Sequence, residues 1–325
     1  MQKISVIGAG SWGTTLAVLL GEKGFDVKLW VRREELANQI KSEKENKQYL
    51  PGIKIPSNVI ADHSLKNAIE NSEIIITAVP SEFLRSTIRE IRHHYDSQII
   101  VSTTKGIEHH SCKRMSQVIE DEIGKAKIAV LSGPNHAEEV SIKMPTASVV
   151  ASRDKKTSKA VAEALATPYF KLYQLNDVAG VEICGALKNI SAIATGVVDG
   201  LGFGDNARAS IITLGLMEMN SFGRHFGAKR GTVYGLAGVG DLIATCISKH
   251  SRNRFLGEQL AKSKTMEEIK KEMHGMVAEG VPTTKAVHEY SSKHNIEMPL
   301  THQAYEVLFE NKNLKQAIKD LLSLI

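Results

Sequence analysis

The chain has 325 residues, enough for about two domains, because single cores rarely grow past roughly 250 residues. Its 41 basic and 36 acidic residues are mixed along the sequence and leave a net charge of +5, without the clustered basic stripe of a nucleic-acid binder. That small excess fits either a mildly positive pocket for an anionic metabolite or a lysine-rich solvated surface. The three cysteines, Cys112, Cys184 and Cys246, are too far apart and odd in number for a disulfide framework or a C-x-x-C metal clamp, so free thiols in a reducing cytoplasm are expected, with no bound metal. No charged leader precedes the first strand and no apolar run approaches the roughly 18 residues of a membrane span, so a cytoplasmic protein is expected.

The first predicted elements are a short buried strand over Lys3 to Ile7 and a helix whose apolar spacing runs through Thr14 to Leu20. Gly8, Gly10 and Gly13 stand at their junction. In a dinucleotide fingerprint the first glycine permits the tight turn. The second clears space where pyrophosphate approaches backbone N–H groups, and the third lets the helix pack on the strand. The alternative is a plain strand-to-helix turn.

"FDVKLWVRR" supplies a second strand ending near Val31, about twenty residues beyond the fingerprint, where this type of fold selects its adenosine ribose. An acidic residue there would favour NAD. Arg32 and Arg33 favour NADP(H), since guanidinium groups can stack on adenine and neutralise a 2′-phosphate; otherwise they are a solvated pair. Further β-branched runs follow at "EIIITAVP", "QIIVSTTKG", "KIAVLSGPN" and "TASVVAS". Near-continuous apolar strands imply a sheet covered on both faces, so the N-terminal part is expected to be a Rossmann-like doubly wound α/β sheet. Ligands bind beyond the carboxyl ends of such strands, and Pro80, Lys105 and Pro134 fall there.

From about Asp177 onward the pattern is helical without a clear strand, so a C-terminal all-α domain is expected. We place a dinucleotide-binding domain over residues 1–186 and a helical substrate-binding domain over 187–325. Within "NDVAGVEICGALKNISAIATGVV", Ile183, Leu187, Ile190 and Ala194 form a core stripe. Lys188 rises beside it among small neighbours, either partly desolvated against a ligand and useful for proton transfer, or snorkelling to solvent. Farther on, Gly235, Gly238 and Gly240 read as a loop delivering Asp241 to a helix start, where it serves a site or only caps the helix. A second helix beginning near Ser251 would gather a hydroxyl, the Arg252 guanidinium, the Asn253 amide and the positive dipole end, which suits a phosphate monoester. Capping and surface roles are the alternative for each residue.

Together, "GAGSWGTTLA", "TTKGIE", "SGPNHAEEV", "ALKNISAIATGVVDGLGFGDNARASIITLG", "YGLAGVGDLIATC", "SRNRFLGE" and "AEGVPTT" resemble the bacterial NAD(P)-dependent sn-glycerol-3-phosphate dehydrogenases, in the same order and up to about residue 290. The resemblance implies reversible reduction of dihydroxyacetone phosphate to sn-glycerol 3-phosphate with NADP(H) or NAD(H), supplying glycerophospholipid synthesis. It implies Lys188 as catalytic acid/base, with Asp241 and Lys105 contacting substrate and tuning that lysine. Ser251, Arg252 and Asn253 would hold the phosphate, and Gly133 and Asn135 would line the substrate side. Cofactor contacts would come from the glycine turn with Ser11 and Trp12, from Arg32, Arg33, Tyr49, Lys105 and Ala137, and from Arg252, Val277 and Glu279. The family commonly has serine then phenylalanine after "SGP"; here Asn135 and His136 stand there, His136 as a polar replacement for an aromatic wall rather than a second acid/base. The helical half could bury a homodimer interface. Competing expectations are a β-hydroxyacid dehydrogenase of the 6-phosphogluconate kind, against which "SRNR" argues, and an NADPH-binding regulator without chemistry, which would not need Lys188 and Asp241.

Overall fold

A computed structural model describes residues 3–273 and 275–323. The chain divides into two compact units, one running to Thr104 and resuming over Met115–Val178, the other combining Lys105–Arg114 with the chain from Ala179 onward.

The first unit is built on one eight-stranded sheet: β1 (Lys3–Ile7), β2 (Asp26–Trp30), β5 (Val59–Asp62), β6 (Ile74–Thr77), β7 (Ile99–Ser102), β8 (Lys127–Ser132), β9 (Thr146–Ala151) and β10 (Phe170–Leu175). The spatial order is β10-β9-β8-β7-β6-β1-β2-β5, and β3 (Glu45–Asn46) with β4 (Leu50–Lys54) makes a separate hairpin. Pairing is parallel except between β8 and β9, so β9 and β10 run against the rest. Alternation along each strand explains the double cover. Ile4, Val6, Ile74, Ile76 and Val101 pack on one face with α1 (Ser11–Glu22), α2 (Glu34–Glu43), α6 (Ala137–Ser141) and α7 (Lys155–Leu165). The intervening Ile7, Ile75 and Ile100 face α3 (Leu65–Ile69), α4 (Ser81–Arg92) and α5 (Met115–Ile123).

The second unit is helical: α8 (Val178–Gly200), α9 (Asp205–His225), α10 (Arg230–Val233), a π-helical turn over Leu236–Gly240, α11 (Asp241–Ile247), α12 (Arg252–Ala261), α13 (Met266–Glu272), α14 (Gly280–His294), α15 (Pro299–Phe309) and α16 (Leu314–Leu322). By length and composition α8 could cross a membrane, which the sequence reading did not anticipate, but its apolar window is entirely buried within the protein. It is a central core helix, buried on every side rather than along one stripe. The loop expected at Gly235, Gly238 and Gly240 is instead the π-helical turn. A side chain at Gly238 would meet the Val233 carbonyl oxygen at 1.9 Å, so Gly238 allows close backbone packing within this turn.

One internal cap carries a pH signature. Glu218, buried on α9, accepts the Leu300 N–H, and its other oxygen accepts the Thr301 hydroxyl at 2.6 Å, at the start of α15. Burial pushes its carboxyl up to about 7, against the hydrogen bonds from Thr301 and Leu300. The folded protein therefore holds this proton more tightly than the unfolded chain does. The resulting stability is complete below the ordinary carboxyl value and is lost as pH rises through about 7. Glu218→Gln keeps an acceptor without the charge, so we expect it to remove on the order of 2–3 kcal/mol of stability loss between about pH 5 and about pH 8. Calorimetric melts of both proteins across that range are the check; equal slopes would refute it.

Candidate active site

In the first unit the glycine turn has the shape that a pyrophosphate needs. Gly8 adopts φ +115, and a Cβ there would lie 2.7 Å from the Ala78 carbonyl oxygen; one at Gly13 would lie 1.9 Å from the Gly8 carbonyl oxygen. A side chain at Gly10 would meet nothing within 4 Å, so the turn is tight on its protein side and open where a ligand approaches. Gly10 precedes the first turn of α1, where the positive end of the helix dipole favours an anion. Ser11 and Ala137 are buried beside this turn, linked through the Thr15 hydroxyl, which donates to Ser11 O at 2.9 Å and Ala137 O at 3.3 Å. Trp12 packs edge-on against Phe170 with its buried indole N–H unpaired.

Arg32 and Arg33 do not act as a parallel pair. Arg32 lies 5.1 Å over the ring of the exposed Phe83, while Arg33 reaches Gln48 and, at 3.4 Å, the Tyr49 hydroxyl. Gly133 and Asn135 follow β8. Asn135 is buried and donates to the Ser148 hydroxyl at 3.0 Å, while His136 precedes α6 without a side-chain cap.

The second unit brings three of the expected residues into contact. Lys188 is 5 % exposed, so it does not snorkel, and its ammonium donates to Asp241 Oδ1 at 2.6 Å and to the Thr245 hydroxyl at 2.7 Å. Lys105 donates to Asp241 Oδ2 at 2.9 Å. Asp241 opens α11 after the Gly240 cap, and its carboxylate is engaged by the two lysines rather than serving as the cap. Thr245 stands one turn later on the same face and donates to Asp241 Oδ1 at 3.3 Å.

Two cations share one anion in a buried cluster, so the site is electron-poor. Burial pushes the Lys188 ammonium down to about 7; Asp241 opposes that and the Lys105 charge adds to it. Burial alone would raise Asp241, but Lys105 and Lys188 together hold its carboxyl below the usual range. Lys188 can therefore hold or release a proton near neutrality, and its third N–H remains for a ligand oxygen.

A second feature stands on the helix after α11. Ser251 caps α12, its hydroxyl oxygen accepting the Arg254 N–H at 3.2 Å, and the half-buried Arg252 opens the first turn. Asn253 is buried. It donates to Asn189 Oδ1 at 3.0 Å and accepts the Gly280 N–H at 2.8 Å, so it joins α12 to the residue beside Lys188 and to the start of α14. Val277 and Glu279 immediately precede α14. Sequence reasoning missed Thr245 and Asn189. Thr245 was findable as the i+4 partner of Asp241; Asn189 carried no signal beyond its position next to Lys188.

Comparison with known proteins finds likenesses along nearly the whole chain. The model for the N-terminus of NAD-dependent glycerol-3-phosphate dehydrogenase matches residues 3–158, and that for its C-terminus matches 177–319. The chain is 50% identical to a glycerol-3-phosphate dehydrogenase (NAD(P)+) of Chlorobium phaeobacteroides strain BS1, covering 99% of this chain and 97% of the relative. It is 45% identical to one of Bacillus mycoides, over 99% and 96%. Among solved structures, a glycerol-3-phosphate dehydrogenase from Coxiella burnetii superposes with TM-score 0.96 at 39% identity, over 99% of this chain and 98% of that one. One from Saccharomyces cerevisiae gives 0.83 at 34%, over 98% and 99%.

Proposed function

Because the chain belongs to the NAD-dependent glycerol-3-phosphate dehydrogenase family, we propose that Lys188 is the acid/base with which it reversibly reduces dihydroxyacetone phosphate to sn-glycerol 3-phosphate. It is an NAD(P)-dependent oxidoreductase. The observation that carries the assignment of Lys188 is its burial against Asp241, Thr245 and the nearby Lys105 charge.

Bound at the glycine turn, NAD(P)H supplies the hydride. Negative charge then builds on the ketone oxygen, where the Lys188 ammonium stabilises it and gives up a proton. Asp241 and Thr245 aim that ammonium, and burial, helped by the Lys105 charge, lowers its proton affinity so that the transfer is near balance at neutral pH. In the reverse direction the neutral amine of Lys188 takes the hydroxyl proton. Ser251, Arg252, Asn253 and the α12 dipole hold the phosphate, and that remote binding orients the carbonyl. Lys105 contacts substrate as well, and Gly133 and Asn135 line the substrate side.

On the cofactor, Gly8, Gly10, Ser11, Trp12 and Gly13 take the pyrophosphate region. Arg32, Arg33 and Tyr49 take the adenosine, giving a preference for NADPH. Lys105, Ala137, Arg252, Val277 and Glu279 complete the contacts. The proposal includes a supply of product for glycerophospholipid synthesis, a homodimer, and a cytoplasmic location, which three free thiols favour.

The direct test mixes protein, NADPH and dihydroxyacetone phosphate and follows reduced-nicotinamide absorbance. We expect a fall that needs the phosphorylated ketone and is faster with NADPH than with NADH. A flat trace, or equal turnover of β-hydroxy acids in the reverse assay, would overturn the substrate assignment.

A further inference from the structure

We propose that Asp199 is a positioning residue for substrate: its carboxylate fixes the first turn of α12 against α8, so that the phosphate is grasped in register with Lys188. This rests on the reading of α12 as the phosphate site.

The geometry is a two-point attachment along one rod. Helix α8 carries Lys188 near its middle and Asp199 near its end, about 16 Å apart at 1.5 Å per residue. At the lysine end, Asn253 of α12 bonds to Asn189. At the far end, the side chain of Asp199 is 8 % exposed and receives two guanidinium groups. Its Oδ2 accepts Nε and Nη2 of Arg254, each at 2.8 Å, and its Oδ1 accepts Arg208 Nε at 2.8 Å and Nη2 at 2.5 Å. Arg254 also reaches Glu258 at 2.7 Å, and Arg208 reaches Asp205 at 2.5 Å, so the two arginines are themselves held from both sides.

Between the two points the helices touch backbone to backbone. A Cβ at Gly196 would lie 2.0 Å from the Arg254 carbonyl oxygen, and one at Gly257 would lie 2.0 Å from that of Ile193. With no side chains between them, the helices cannot slide past one another without losing contact, and the Arg254 tether decides where α12 stops. Arg254 is also the residue whose N–H closes the Ser251 cap. Anchoring its side chain therefore anchors the turn that presents Ser251, Arg252 and Asn253. A displacement of about 1 Å in such a turn is enough to cost up to a hundredfold in turnover.

The experiment compares two ketones in the intact enzyme, dihydroxyacetone phosphate and phosphate-free dihydroxyacetone, for wild type, Asp199→Asn and Arg252→Ala. Asp199→Asn is expected to raise KM for the phosphorylated ketone about tenfold. It should leave the slow turnover of dihydroxyacetone and the pH midpoint of kcat where they are, since the Lys188 cluster is untouched. With NADPH saturating, so that its cofactor contact does not limit the rate, Arg252→Ala should depress the phosphorylated ketone far more than dihydroxyacetone. If Arg252→Ala does so and Asp199→Asn does not, the positioning role is wrong while the phosphate site stands. If neither variant separates the two ketones, the phosphate site itself is wrong and the role of Asp199 falls with it. Equal losses on both ketones in Asp199→Asn would show a general structural role and overturn the proposal. Should Asp199→Asn fail to fold, Arg254→Gln releases the same carboxylate from the α12 side and carries the same expectations.

Discussion

Lys188→Ala is expected to lower kcat for reduction of dihydroxyacetone phosphate by about four orders of magnitude while NADPH binding changes less than about twofold. General acid catalysis contributes roughly 10²–10⁴, and loss of a donor aimed at the developing oxyanion removes a comparable factor, the two overlapping because one ammonium does both. The fold should survive. Asp241 keeps Lys105 at 2.9 Å and the Thr245 hydroxyl, so the truncation does not strand a buried carboxylate. Steady-state kinetics beside fluorescence titration of NADPH make the comparison, and more than about a tenth of wild-type turnover would remove Lys188 from the chemistry.

The same residue sets the pH dependence. Reduction needs the ammonium, so with burial holding Lys188 near 7, kcat/KM for reduction should fall as pH rises through that value, and oxidation of sn-glycerol 3-phosphate should fall as pH drops through it. Lys105→Met deletes the cation that disfavours the ammonium, so both limbs should move to higher pH; Asp241→Asn deletes the anion that favours it and should move them down. Limbs that stay in place in both variants would show that another group titrates.

Arg252→Ala is expected to reduce kcat/KM for dihydroxyacetone phosphate by about two to three orders of magnitude. A charge-assisted contact to a phosphate is lost, but the α12 N-terminus, the Ser251 hydroxyl and the Asn253 amide remain, so binding is weakened rather than abolished. Most of the change should fall on KM, with a smaller drop in kcat because the carbonyl is held less firmly. If Arg252 also reaches the cofactor, NADPH affinity should fall in the same variant. Unchanged KM for the phosphorylated ketone would exclude α12 from phosphate binding.

What could be read in advance was what local geometry dictates. Gly8, Gly10 and Gly13 were legible because a tight turn between strand and helix has its own steric demand, which the 1.9 Å approach at Gly13 makes plain. The apolar strands β6 to β8 were legible because both faces are covered. β5 and β10 were not, since each sits at a sheet edge and mixes buried with exposed positions. Lys188 was visible as a lysine among small residues, but its burial was not, because helices from elsewhere in the chain enclose α8. The pairing of Arg33 with Tyr49 and the carboxylate shared by Lys105 and Lys188 depend on chain crossings that no local pattern encodes. The π-helical turn escaped for a related reason: three glycines suggest a loop, and only the nearby Val233 carbonyl shows why Gly238 is needed inside a helical turn.

The Lys105–Arg114 stretch belongs to the helical unit although it is encoded amid the sheet. There Ile107 joins the helical core, the Cys112 thiol donates to Ala286 O at 3.4 Å, and Arg114 meets the buried Glu182 carboxylate. The two halves are therefore not interchangeable cassettes. A gene cut after Val178 would yield a helical fragment with an uncompensated negative charge in its interior and without the lysine that depresses its neighbour's basicity. Swapping the nucleotide half between relatives must carry this insert with its own helical partner, and recombination points that ignore it should give insoluble or inert chimeras.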